Sequence, residues 1–146
     1  VIVAVALGFT NFVIDQEVPM KLFALTQKYI TSQAMFLVVL NVFLLIVGCL
    51  IDIFSAIIVV VPIITPIAMG YHVDPVHLGI VFLTNLEIGY LTPPFGLNLF
   101  LSSYRFKRSI AQVFKDTLPF LLILITALLI ITYVPSLSLT LLEKLH

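Results

Sequence analysis

Residues 87–100, EIGYLTPPFGLNLF, set two adjacent prolines and two glycines inside a stretch otherwise apolar enough for a membrane helix. A proline has no N–H to offer the carbonyl four residues earlier, so Pro93 and Pro94 leave the oxygens of Gly89 and Tyr90 free. Thr92 precedes a proline and is pushed out of the helical region, which ends a first half-helix near Leu91. Thr92 then suits the cap of a second half-helix with Pro93 or Pro94 at its start, and Gly96 lets another backbone or a ligand come close.

Unsatisfied carbonyls in lipid are costly, so such a break persists only where it lines a cavity or finds a substitute partner. A hard cation is the best partner available. The start of the second half-helix carries roughly half a positive charge and suits an anion, so one break serves a coupling cation and a carboxylate together. An ordinary proline kink repaired by neighbouring helices is the plainer alternative.

The rest of the chain supports a membrane setting. Of its 146 residues, 62% are hydrophobic and 10% charged, with a formal net charge of zero; soluble domains carry roughly 25% charged residues. The runs 1–14, 29–51, 53–73, 88–104 and 117–142 hold no Asp, Glu, Lys or Arg, and several approach the roughly 20 residues of a spanning helix. No basic region precedes the first apolar run, unlike a secretory signal, and a start inside an apolar helix suggests a fragment. The single Cys49 argues against a disulfide framework or a multi-cysteine metal site. Zero net charge and one short basic stretch argue against nucleic acid as a partner. Neither H-E-x-x-H nor G-x-S-x-G occurs, so neither an enzyme nor an organic cofactor is expected.

Working outward from the break, 76–104 reads as a broken helix and 1–14 as the end of a spanning helix. Residues 16–30, with Val18, Leu22, Leu25 and Tyr29 at helical spacing, read as an interfacial helix. Residues 34–69 would be roughly 54 Å long as one helix, beyond a hydrocarbon core of about 30 Å, so they must fold back. The turn falls at Gly48-Cys49-Leu50-Ile51-Asp52. Arms of about 14 to 17 residues are short for full crossings, which favours a re-entrant hairpin whose tip is buried in protein. Two complete spans over 29–51 and 53–73 remain the alternative. Asp52 suits a cap for the second arm, Gly48 would expose its carbonyl at the tip, and Pro62 and Pro66 would kink the arm.

In the loop 71–75, Asp74 suits a helix cap and Pro75 a first turn. His72, Asp74 and His77 are explained by loop polarity and capping better than by a metal. Residues 106–116 read as an amphipathic connector with Phe106, Ile110, Val113 and Phe114 on one face, and 118–134 as the last spanning helix. Four basic residues from Arg105 to Lys115 mark the loop there as cytoplasmic, which places both ends of the hairpin outside. Asp52 and Glu87, acids in apolar surroundings, are functional candidates by default, with Glu87 facing a polar neighbour or a watery vestibule. Asn85 and Asn98 would bridge helices or line a substrate path.

Three stretches carry a family resemblance: GCLIDIFSAIIVVVPIITPIA, VDPVHLGIVFLTNLEIGYLTPPFGLNLFLSSYRF and LPFLLILITALLIITYVPSLSL. They resemble the C-terminal part of the large membrane subunit of tripartite ATP-independent periplasmic (TRAP) transporters. The resemblance implies an all-α polytopic membrane protein of the bacterial inner membrane. It would be the second inverted repeat of an elevator-type ion-transporter fold, with a re-entrant helical hairpin and a broken transmembrane helix.

It further implies sodium-driven uptake of organic acids such as C4-dicarboxylates, handed over by a periplasmic substrate-binding protein. A small membrane subunit, the N-terminal repeat of the same subunit and the lipid bilayer would be the other partners. On matching positions, sodium would be held by the carbonyls of Gly48, Gly89 and Phe95 together with Thr92. Pro93, Pro94, Gly96 and Asn98 would shape the break and face the substrate, with Asp52, Glu87 and Asn85 as polar support. The first repeat lies outside this chain, which alone is not expected to transport.

Three other readings stay open. One is a sodium- or proton-coupled anion permease of a related inverted-repeat family without a binding protein. The others are a membrane enzyme using Asp52, Glu87 or the histidines, and a structural membrane subunit.

Overall fold

The computed structural model describes residues 2–143, with side chains from 4 to 140. Helix α1 (Ile2–Asp15) turns through Gln16 and Glu17 into α2 (Val18–Tyr29), where Pro19 occupies an opening position that needs no N–H. Helix α3 (Gln33–Leu50) starts on Ser32, whose hydroxyl accepts the Met35 N–H at 3.2 Å. Asp52 then opens α4 (Ile53–Val59), its Oδ1 accepting the N–H groups of Phe54 and Ser55 at 3.0 Å each. Helix α5 (Val61–Gly70) continues from α4 with a bend of 54°.

Helices α3 to α5 form a hairpin because their outer ends meet. The Phe36 and Tyr71 rings stack with centroids 4.6 Å apart. The Tyr71 hydroxyl donates to the Ile30 carbonyl at 3.0 Å, and Gln33 Nε2 donates to the His72 carbonyl at 3.1 Å. The chain therefore leaves and returns at one level, with its tip at Gly48–Asp52.

The bend in the second arm has a chemical cause. Pro62 cannot donate to the Ile58 carbonyl, and the buried Thr10 hydroxyl of α1 takes over that role at 2.9 Å. Thr10→Val keeps the shape and removes the donor, leaving a carbonyl unpaired. It should lower stability by about 1–3 kcal/mol, visible as an earlier thermal unfolding midpoint of the complete protein in detergent. An unchanged midpoint would show that the bend does not depend on this bond.

Helix α6 (Pro75–Gly89) is capped by Asp74, whose Oδ1 accepts from Val76 and His77 at 2.8 and 3.3 Å. It packs along α3, and the core between hairpin and α6 is built from Leu40, Leu44, Ala56, Ile64, Phe82 and Leu86. Helix α7 (Leu97–Phe106) follows the break, and α8 (Ile110–Tyr133) and α9 (Pro135–Glu143) complete the described chain.

One expectation is corrected here. The connector at 106–116 and the last helix at 118–134 are not separate elements, because α8 runs unbroken through Ile110–Tyr133. Phe106 closes α7, and Lys107 turns the chain with φ 53°. A reciprocal cap between Ser109 and Gln112 starts α8, and Lys115, whose carbonyl Pro119 deprives of a partner, is exposed. The charges of Lys115 and Asp116 and the proline thus mark no boundary.

Helices α3 and α8 are long and apolar enough to cross a membrane, and α4 with α5 makes a third span if the bent pair counts as one. Large apolar side chains on α8, among them Phe120, Leu122 and Ile123, are exposed. Water would oppose that arrangement, whereas lipid or another membrane helix would accept it. The architecture is that of an all-α membrane protein.

Candidate functional site

The site lies where the hairpin tip meets the end of α6. Helix α6 stops at Gly89, two residues earlier than the sequence predicts, and α7 begins at Leu97. Turns join them through a cis peptide between Pro93 and Pro94.

At that end the two backbones touch. A Cβ on Gly89 would sit 2.5 Å from the Gly48 carbonyl carbon, 2.6 Å from its Cα and 2.8 Å from the Cys49 nitrogen. A Cβ on Gly48 would sit 2.9 Å from the Leu86 Cα. Only glycine at both positions allows this approach. The C-terminal ends of α3 and α6, each carrying roughly half a negative charge, are thereby brought side by side.

Two expectations about the break are corrected. The carbonyls of Gly89 and Tyr90 are not orphaned, since Gly89 accepts the Thr92 N–H at 2.9 Å and Tyr90 accepts the Asn98 N–H at 3.2 Å. The loop curls back far enough for its own later amides to replace those the prolines lack. Thr92 does not cap α7 either, and Pro93 and Pro94 lie outside that helix. The Thr92 hydroxyl donates backward to the Ile88 carbonyl at 3.0 Å, while Gly96 occupies the cap position without any side-chain bond. A Cβ on Gly96 would sit 2.6 Å from the Tyr90 oxygen and 2.8 Å from that of Thr92, so the loop closes over this residue.

Among the described residues, no N–H or hydroxyl reaches the carbonyls of Gly48, Thr92 or Phe95. Three oxygens with unspent lone pairs therefore belong to the hairpin tip and the loop, beside a threonine hydroxyl that keeps its acceptor capacity. Also among the described residues, no three His, Cys, Asp or Glu side chains gather as a metal cluster. A cation here would be held by backbone oxygens and a hydroxyl, the donor set of a hard ion.

The other candidates are spread around this point. Asp52 sits at the tip, where its second oxygen also accepts the Ser55 hydroxyl at 2.6 Å. Pro93, Pro94 and the Phe95 ring are exposed, Glu87 is exposed with no ion pair among the described residues, and Asn98 is partly buried. The Tyr90 hydroxyl faces the Ile53 backbone at the start of α4.

Asn85 lies apart, fully buried one turn before Gly89, where its Nδ2 donates to Asn41 Oδ1 at 2.7 Å. Asn41 in turn donates to Thr132 Oγ1 at 3.1 Å, and His77 Nε2 meets the Thr132 carbonyl at 3.2 Å. Sequence reasoning missed Asn41 and Thr132. An isolated amide amid the apolar run 34–50 was the one available signal.

Known proteins resemble the chain over nearly its whole length. The family model described as "Tripartite ATP-independent periplasmic transporter, DctM component" matches residues 1–137. The chain is 39% identical over 140 residues to a C4-dicarboxylate TRAP transporter large permease protein of Pseudomonas aeruginosa, covering 96% of this chain and 33% of that protein. It is 38% identical over 136 residues to an isethionate TRAP transporter permease protein of Oleidesulfovibrio alaskensis, covering 93% and 21%. A 2,3-diketo-L-gulonate TRAP transporter large permease protein of Escherichia coli is 29% identical over 121 residues, covering 83% and 28%. The chain spans a third or less of the length of these curated relatives.

Proposed function

Because the chain belongs to the DctM component family of tripartite ATP-independent periplasmic transporters, we propose that it forms a cation-binding segment of a sodium-coupled carrier for organic acids. The observation that carries this reading is the contact of Gly48 with Gly89. It brings the C-terminal ends of α3 and α6 side by side, next to the loop that carries Thr92 and Phe95. Sodium is bound by the carbonyls of Gly48, Gly89 and Phe95 with the Thr92 hydroxyl. The Gly89 oxygen shares its second lone pair, since the Thr92 N–H uses only the first.

The relatives' names specify a C4-dicarboxylate, isethionate and 2,3-diketo-L-gulonate. All three are small organic anions, but isethionate is a sulfonate whereas the other two are carboxylates. A segment common to all three carriers therefore supplies ion coupling and the general handling of negative charge, with the α7 N-terminus facing the anion. Residues of the remaining chain complete the pocket that tells the acids apart. The hairpin is re-entrant, the chain is one of two inverted repeats that move as an elevator, and the α7–α8 loop is cytoplasmic. A periplasmic binding protein delivers the substrate, and a small membrane subunit completes the carrier in the inner membrane.

The test is uptake by the complete transporter in proteoliposomes, with candidate binding proteins and imposed gradients. An inward sodium gradient should drive accumulation that a sodium ionophore abolishes. Uptake driven by a proton gradient alone would overturn the cation assignment, and full uptake without any binding protein would favour a simpler permease. For orientation, a cysteine at the exposed Ala111 should react with an impermeant maleimide only from the cytoplasmic side.

A further inference from the structure

We propose that Asn41 and Asn85 are positioning residues for the cation site: their buried amide bridge sets the register of α3 against α6 and so holds the Gly48 and Gly89 backbones together. This inference rests on the sodium reading above. Asn41 and Gly48 are seven residues apart on α3, and Asn85 and Gly89 are four apart on α6, so each pair shares one helix face. The bridge and the glycine contact are thus consecutive points along one seam between parallel helices.

Elsewhere the seam is apolar, with Leu37, Leu40 and Leu44 against Leu78, Phe82 and Leu86. Apolar contacts have no direction, and between membrane helices lipid tails compete for them on equal terms. A slip along the seam leaves such contacts nearly as good but moves the Gly48 and Gly89 backbones out of their close approach. The amide bridge is directional. Asn85 Nδ2 donates to Asn41 Oδ1 at 2.7 Å and to the Val81 carbonyl at 2.8 Å, and Asn41 Nδ2 donates to Thr132 Oγ1 at 3.1 Å. Helix α8 is thereby tied to the same point.

The Asn85 amide cannot be turned over, because its nitrogen lies between two acceptors. Its Oδ1 is consequently buried without a donor among the described residues. A leucine in its place would avoid that penalty, so stability alone does not account for the amide. Buried polar residues that set register at the expense of stability are known from paired helices.

The experiment uses the complete transporter in proteoliposomes and reads half-saturating sodium separately from half-saturating organic acid at saturating sodium. Asn41→Leu with Asn85→Leu removes both amides at similar volume. This double variant should assemble with a thermal midpoint no lower than wild type. Its half-saturating sodium should rise roughly fivefold, while half-saturating organic acid stays within about twofold. Thr132→Val should shift sodium in the same direction by less, and Thr132→Ser, which keeps the hydroxyl, should restore it.

Unchanged sodium half-saturation in an assembled double variant overturns the proposal. Should that variant fail to assemble, equal sodium half-saturation in Thr132→Val and Thr132→Ser overturns it instead. A wild-type carrier indifferent to sodium fails the underlying reading, an outcome recognisable before any variant is made.

Discussion

Gly89→Ala in the complete transporter is expected to lower the initial rate of sodium-driven uptake roughly a hundredfold, the penalty typical of a displacement of about 1 Å at a reacting or binding centre. The added methyl would lie 2.5 Å from the Gly48 carbonyl carbon and 2.8 Å from the Cys49 nitrogen. Both are backbone atoms, so no side chain can rotate away, and the hairpin tip itself must retreat to restore ordinary contact. Gly79, ten residues earlier on the same helix, is the matched control, because a Cβ there meets nothing within 4 Å. Gly79→Ala should leave uptake within about twofold, as alanine is the better helix former. Equal rates for the two variants would show that the Gly48–Gly89 contact has no part in transport.

Thr92→Val is expected to raise half-saturating sodium roughly tenfold or more, by removing an oxygen ligand at nearly constant volume. The Thr92 hydroxyl spends its proton on the Ile88 carbonyl at 3.0 Å, which fixes its rotamer and leaves its lone pairs for an ion. Thr92→Ser keeps those lone pairs and should stay within about threefold of wild type. Sodium titrations of initial uptake in proteoliposomes decide the matter. If valine and serine behave alike, the hydroxyl is not a ligand and the loop acts through its carbonyls alone.

The break and the fold-back were legible in the sequence because both rest on covalent facts. Two consecutive residues without N–H groups cannot continue a helix, and an apolar run of 36 residues from 34 to 69 cannot remain straight inside a bilayer. How the loop repairs itself was not legible. Whether the Thr92 and Asn98 amides reach the Gly89 and Tyr90 oxygens depends on dihedral angles across the whole turn, which the identity of the prolines does not set.

Long-range partners were hidden for a related reason. Thr10 and Ile58 are 48 positions apart and Asn41 and Thr132 are 91 apart, and no periodicity within a helix reports on a neighbour that distant. The separation of the connector from the last helix failed because Lys115, Asp116 and Pro119 look like punctuation. On the exposed side of a helix already started by the Ser109 cap, they are merely tolerated in its second and third turns.

The clasp of Phe36 and Tyr71, with the bonds to Ile30 and His72, gives the hairpin an uneven mechanics. Its root is pinned by an aromatic stack and two hydrogen bonds, and its far arm is tethered midway, where Ile58 meets Thr10. Beyond that tether Ala56 is still anchored in the core, whereas Leu50, Ile51, Asp52, Phe54 and Ile57 protrude around the tip. Any bending of the hairpin therefore centres on the exposed turn from Leu50 to Asp52, while its root stays still.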